Sequence, residues 1–278
     1  MRIDAISRSA PIGARTFDVI CAGVPSFDIH SDGARTRIGG GAIRAASALV
    51  RQDLRVGLAT VLQDDSVGRT VVDKLESAGI DVGGVCFSSP TSSVFFVRGG
   101  ALQTLHEGKE DAPISIPEGW SSQVLLLSGM SPVVSHGAAL CKAARAARRA
   151  GSTVIVDLHA DWNLWRGRDW RSTRMILREA DVVWASGEDL LGLDLDVPSL
   201  RAAMRPNAVL ATHTLGCTSA FGSFGAVTHP SKLGPTDRDD DLVAAICFEL
   251  KHAKNNGEND ASLWTRALAR GHAKSRPR

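Results

Sequence analysis

From residue 122 onward, short apolar runs alternate with helical patterns, and this alternation constrains the fold more than any other feature. SQVLLLSG (122–129) reads as a strand, HGAALCKAARAARRA (136–150) as a helix and STVIVDL (152–158) as a strand. STRMILREA (172–180) then reads as a helix, DVVWAS (181–186) as a strand and NAVLATHTLG (207–216) as another. Runs such as Val124–Leu127 are apolar at every position, as expected of strands covered on both faces. Strands that alternate with helices call for right-handed crossovers and a mostly parallel sheet with helices on both sides. In such sheets ligands sit beyond the carboxyl ends of the strands, which places Gly129, Asp157, Ser186, Gly216 and the 234–241 loop on one rim.

The first half is more broken. FDVICAG (17–23) is a buried-strand pattern, and VPSFDIHSDGARTRI (24–38) alternates around an Asp-Gly turn signal like a small hairpin. GGGAIRAASALVRQD (39–53) opens with three glycines and sets Ile43, Ala46, Leu49 and Val50 on one helical face. A strand follows at 55–61, a helix at 66–81 that stops near Gly79, and antiparallel strands between 93 and 106. AFGSFGAVTH (220–229) reads as a hairpin and DDLVAAICFELKHAK (240–254) as a helix. Residues 1–16 form a loose leader, 17–275 a single α/β domain with the 24–38 and 93–106 strands set apart as a small sheet, and 276–278 a tail.

Composition narrows the function. With 32 Lys plus Arg against 30 Asp plus Glu, the net charge of +2 gives no electrostatic case for nucleic acid or an anionic membrane as partner. No stretch of about eighteen apolar residues occurs. The five cysteines are odd in number and widely spaced, which fits a reducing, cytoplasmic setting and offers no zinc spacing. Small-molecule chemistry is the expectation that remains.

The segments GGGAIRAASALVRQDLRVGLATVLQDDSVGRTVVDKLESAGID (39–81), DLHADWNLW (157–165), ADVVWASGEDLLGL (180–193), THTLGCTSA (212–220) and GPTDRDDDLVAA (234–245) occur in this order. In that order the chain resembles the ribokinase/PfkB family of sugar and nucleoside kinases over residues 17–275. The resemblance implies a ribokinase-like doubly wound sheet with a β-sheet lid, and transfer of the γ-phosphoryl group of ATP, with Mg²⁺, to a hydroxyl of a small sugar or nucleoside. It also implies a homodimer joined through the lid.

The site residues implied by this resemblance are as follows. Gly39 and Gly40 approach the substrate, Asp28 in the lid accepts hydrogen bonds from its hydroxyls, and Asp65 with Gly68 forms a D-x-x-G step. Arg44 stands where the family has Asn, which favours an acidic or phosphorylated substrate if the side chain faces the pocket. His159 replaces an Asn on the substrate side. Ser186 and Asp189 replace the Asn and Glu that organise Mg²⁺ and phosphate, making Asp189 the metal-side carboxylate, while Thr214 and Gly216 belong to the nucleotide-side strand. In the family's D-T-x-G-A-G-D motif, backbone amides at a helix N-terminus cradle the phosphoryl group and the last Asp takes the hydroxyl proton. Here Pro235 replaces the first Asp, Arg238-Asp239-Asp240 replace Gly-Ala-Gly, and Asp241 falls in the base position with Arg238 as an added cation. Asp239 and Asp240 thus line the phosphate side. At an effective dielectric of about 20 each would repel a phosphate charge roughly 5 Å away by about 3 kcal/mol.

Three readings of the acids follow. They serve phosphoryl transfer; or the scaffold binds a sugar, nucleoside or partner without turnover; or the cluster and a metal activate water on a phosphorylated or glycosidic substrate. Acids at a helix start also cap it and complement its dipole, with no catalytic role. The chain ends at SRPR (275–278), short of the family's usual closing segment, so a thinner adenine wall is expected.

Overall fold

The computed structural model describes residues 14–23, 25–30, 36–88, 94–98, 101–106, 114–129, 137–159, 170–214, 216–230, 239–256 and 261–274. The strands are β1 (Arg15–Ala22), β2 (Ser26–His30), β3 (Thr36–Gly39), β4 (Val56–Gln63), β5 (Asp81–Ser88), β6 (Val94–Arg98), β7 (Ala101–His106), β8 (Trp120–Ser128), β9 (Thr153–Asp157), β10 (Val182–Ser186), β11 (Val209–Thr214), β12 (Cys217–Gly222) and β13 (Gly225–Pro230). The helices are α1 (Gly41–Val50), α2 (Ser66–Ser77), α3 (Gly137–Arg149), α4 (Arg171–Leu177), α5 (Gly187–Gly192), α6 (Val197–Ala203), α7 (Asp239–Asn256) and α8 (Ala261–Lys274).

Nine strands form one sheet in the order β13-β12-β11-β10-β9-β8-β1-β4-β5. β11 through β5 run parallel, and the β12–β13 hairpin adds antiparallel strands at one edge. The chain steps outward from β1 to β4 and β5, then returns to place β8 on the other side of β1. Strand order therefore reverses between β1 and β8, and a crevice opens at their carboxyl ends.

The apolar runs explain the layering. Val124 and Leu126 join the core beneath α1, α2, α7 and α8, while Leu125 and Leu127 join the core beneath α3 to α6. Successive strand residues point to opposite faces, so an all-apolar strand seals two cores at once.

A second sheet, ordered β3-β2-β6-β7, leaves the main one at the rim. β2 pairs antiparallel with β3 and parallel with β6, and β6 pairs antiparallel with β7. Its strands enter as two pairs, β2–β3 between the end of β1 and the start of α1 and β6–β7 between β5 and β8, so the end of β3 and the start of α1 meet at the crevice.

Three elements were not foreseen from sequence. β5 is an edge strand whose DVGGVCFS carries two glycines and no clean alternation. α5 and α6 follow β10 as short helices, each started by its own cap: Ser186 with Asp189, and Asp196 accepting from the Ser199 amide at 2.8 Å.

Candidate functional site

The crevice is closed at its base by small residues. A side chain at Gly23 would meet the Ser128 carbonyl oxygen at 1.6 Å, and one at Gly41 would meet Ser128 Oγ at 2.1 Å and the Gly129 amide nitrogen at 2.8 Å. Glycine is therefore required where α1 begins, and the helix start is wedged against the end of β8. Gly40, the N-cap of α1, adopts φ 94°, a conformation that side chains disfavour. Gly39, the last residue of β3, lies opposite Ser26 of β2. Both are buried at the foot of the small sheet.

Ser128 Oγ donates to Asp157 Oδ2 at 2.5 Å, joining the ends of β8 and β9 in the buried crevice. Asp157 is 2% exposed, and its charge, after burial itself, helps push the neighbouring Cys247 thiol of α7 upward. Two residues beyond Asp157 the chain turns at His159, which takes the left-handed φ of 45°. That turn presents the ring to Arg44 of α1, whose Nη2 donates to His159 Nε2. Burial first, and the adjacent guanidinium second, push the imidazole down to about 3, so it remains a neutral acceptor at physiological pH.

Arg44 also reaches the first turn of α7, where its Nε lies 3.2 Å from Asp240 Oδ2. The next acid faces elsewhere: Asp241 Oδ1 accepts from Arg51 Nη2 at 3.1 Å, and the Arg51 side chain is 63% exposed. Adjacent helical residues point about 100° apart, so the two acids take different partners along α1. Of the two acids expected to repel phosphate, Asp239 and Asp240, the latter is thus opposed by Arg44, while Asp241 is opposed by Arg51. Asp239 is the first residue of α7, and Arg238 lies outside the described residues. Asp28 sits in β2, in register with Arg37 of β3 and Phe95 of β6.

Other expected residues have local structural partners. The D-x-x-G step is a helix cap: Asp65 Oδ1 accepts from the Gly68 amide at 2.8 Å, and a side chain at Gly68 would meet the Gln63 carbonyl at 2.1 Å. Ser186 and Asp189 form a reciprocal capping box at α5, with Ser186 N donating to Asp189 Oδ2 at 2.6 Å and Asp189 N to Ser186 Oγ at 3.1 Å. Both are buried. Among the described residues, no group of three or more His, Cys, Asp or Glu is placed to hold a metal ion. Ser186 Oγ and one oxygen of Asp189, the groups on which the Mg²⁺ expectation rested, thus also start α5.

Thr214 ends β11, with its Oγ1 3.6 Å from Cys217 Sγ, and Gly216 turns the chain into β12 at φ 87°. Beside this turn lies a cluster that pattern reading missed. His213 of β11, Thr218 of β12 and His229 of β13 are in register across the sheet, and His272 of α8 packs over them. His272 Nε2 is 2.9 Å from Thr218 Oγ1, and its ring stacks on His229 with centroids 4.6 Å apart. Single histidines in separate segments give no spacing signal from which such a cluster can be read.

No family model matches the sequence, and no curated protein matches it. Solved structures do share the architecture. Aminoimidazole riboside kinase from Salmonella enterica, complexed with aminoimidazole riboside and an ATP analog, aligns at TM-score 0.72 and 19% identity, covering 93% of this chain and 92% of its own. Fructokinase with bound ATP from Xylella fastidiosa aligns at TM-score 0.73 and 18% identity, covering 93% and 92%. A PfkB protein from Polaromonas sp. JS666 aligns at 0.70 and 20%, covering 92% and 95%. The fold is thus the ribokinase-like α/β fold of these sugar and nucleoside kinases.

Proposed function

We propose that the chain is an ATP-dependent phosphotransferase acting on a hydroxyl of a small sugar or nucleoside. The observation that carries this reading is the position of Asp240, in the first turn of α7, 3.2 Å from the Arg44 side chain that also meets His159 beyond the end of β9. The sequence expectation gave the proton-acceptor role to Asp241. Its partner Arg51 is largely solvent-exposed, and the division of the two acids between Arg44 and Arg51 favours Asp240 for that role.

In the proposed reaction the acceptor hydroxyl gives its proton to the Asp240 carboxylate while its oxygen attacks the γ-phosphorus. The bond from that phosphorus to the bridging oxygen breaks, and ADP leaves with the electron pair. The N-terminal end of α7 favours the negative charge of the transferring group. Gly39, Gly40 and Asp28 bound the acceptor, and Thr214 and Gly216 bound the nucleotide. Mg²⁺ carried on the nucleotide would neutralise charge on the triphosphate. The small sheet offers β3 and β7 as edges for a homodimer, and the five cysteine thiols suit a cytoplasmic setting.

The test is ADP release from ATP·Mg²⁺ with D-ribose, D-fructose and adenosine as acceptors. Turnover that disappears in D240N supports the reading, and absence of turnover across sugars and nucleosides overturns it. The Ser186–Asp189 capping box favours one alternative, a scaffold that binds a sugar or nucleoside without phosphorylating it. Stabilisation by acceptor alone, with no response to ATP·Mg²⁺, would select that alternative.

A further inference from the structure

We infer that Arg44 is a positioning residue for Asp240 and that the acceptor is accordingly an uncharged polyol or nucleoside, not a sugar phosphate or sugar acid. The inference rests on the phosphotransferase reading above and concerns the same site.

Arg44 is firmly located. Asp157 accepts from Ser128, Ser128 packs against Gly41, and Gly41 starts the helix whose next turn carries Arg44. Arg44 then returns to His159, two residues beyond Asp157. These contacts form a closed ring through the ends of β8 and β9 and the first turn of α1. A side chain held at both ends of such a ring has few alternative rotamers, which is the condition for aiming another group.

His159 completes the device. Its left-handed backbone costs a non-glycine residue on the order of 1 kcal/mol or more, and the cost turns the ring onto Arg44. Because the ring accepts at Nε2, the proton of the neutral imidazole lies on Nδ1. The imidazole therefore does not oppose the guanidinium with a second positive charge.

Charge decides the substrate class. Among the described side chains, Asp240 lies beside Arg44, which also meets neutral His159, and its helix neighbour Asp241 lies beside Arg51. Arg44 is paired with Asp240 and Arg51 with Asp241. An anionic acceptor would have to compete with Asp240 for Arg44 and would meet the remaining carboxylates. A neutral hydroxyl needs only the aimed carboxylate.

The experiment uses the full chain with ATP·Mg²⁺ and paired acceptors: D-fructose and fructose 6-phosphate, D-ribose and ribose 5-phosphate, adenosine and AMP. ADP release is measured for the wild type, R44Q, R44K, D240N and R44Q/D240N, with melting temperatures recorded to confirm folding. The expected result is turnover of the uncharged member of a pair and a fall in kcat of about tenfold or more in R44Q with KM little changed. R44K recovers part of that loss, and any residual turnover of D240N is not lowered further by R44Q. Preference for the phosphorylated member, or an R44Q effect confined to KM, would overturn the inference, as would an R44Q enzyme equal to wild type. Failure of the wild type on every acceptor would instead remove the phosphotransferase reading on which it stands.

Discussion

Arg51, at the C-terminal end of α1, donates to Asp241 at 3.1 Å across the groove to α7. The contact means that the acids at the mouth of α7 are not a uniform negative patch. One is tied to an exposed arginine, and its neighbour is tied to the guanidinium that also holds His159. The first prediction contrasts them. D240N should abolish phosphoryl transfer, whereas D241N should act through stability, losing no more than about 1 kcal/mol because an ion pair with so exposed a partner is weak. Steady-state kinetics and urea unfolding of both variants check this. The opposite ranking would return the proton-acceptor role to Asp241.

The wedge between α1 and β8 gives the second prediction. In G41A the added methyl would meet Ser128 Oγ at 2.1 Å and the Gly129 amide at 2.8 Å, one of them backbone that cannot yield cheaply. Overpacking of this kind costs about 1–3 kcal/mol. S128A, which removes a donor to buried Asp157, should cost a similar amount, about 1–3 kcal/mol, because a buried acceptor loses one of its hydrogen bonds. Urea midpoints lowered in both variants, with unchanged slopes, are the expected outcome.

Much of the architecture is legible in the sequence because Val124–Leu127, Val154–Val156 and Val182–Ala185 bury both faces of a parallel sheet and leave little choice of element. The glycines, Arg44, His159 and the acids of α7 also stand out as a set. Their pairing does not. Arg51 and Asp241 are 190 positions apart, and no local pattern links them. Nor could the rotation of α7 be read, since Leu242 through Cys247 are all buried and the helix shows no polar stripe there. A shift of one position turns an acid by about 100°, so the choice between Asp240 and Asp241 depends on how α7 is rotated. Ser186 and Asp189 carry the opposite lesson. Their S-x-x-D spacing is a capping-box signature legible in the sequence, and in the fold the pair starts α5.

The third prediction concerns pH. His159 is held down to about 3 by burial and by Arg44, and His272 is lowered by burial and then by His229 and His213. Both are neutral in the fold below the pH at which they gain a proton in the unfolded chain. The unfolded state therefore binds more protons, and stability falls as pH drops from about 6.5 toward the folded values. One such histidine contributes at most about 1.4 kcal/mol per pH unit. Urea unfolding at pH 7 and pH 5 should show the loss, and H159Q or H272Q should each make it smaller. An unchanged difference in both variants would show that other groups set the acid limit.

The capping box supplies the last prediction. Ser186 and Asp189 each accept from the other's backbone amide, at 3.1 and 2.6 Å, in a buried helix start between β10 and the wall of the second core. S186A removes one of these bonds and should destabilise the chain by about 1 kcal/mol, with D189N losing a comparable amount as the charged acceptor is replaced. If the pair's work is to start α5, the Mg²⁺ concentration that gives half-maximal ADP release will be the same in wild type and D189N once both are folded. A Mg²⁺ requirement that rises severalfold in D189N, with stability held, would instead give Asp189 a place beside the metal-bound triphosphate.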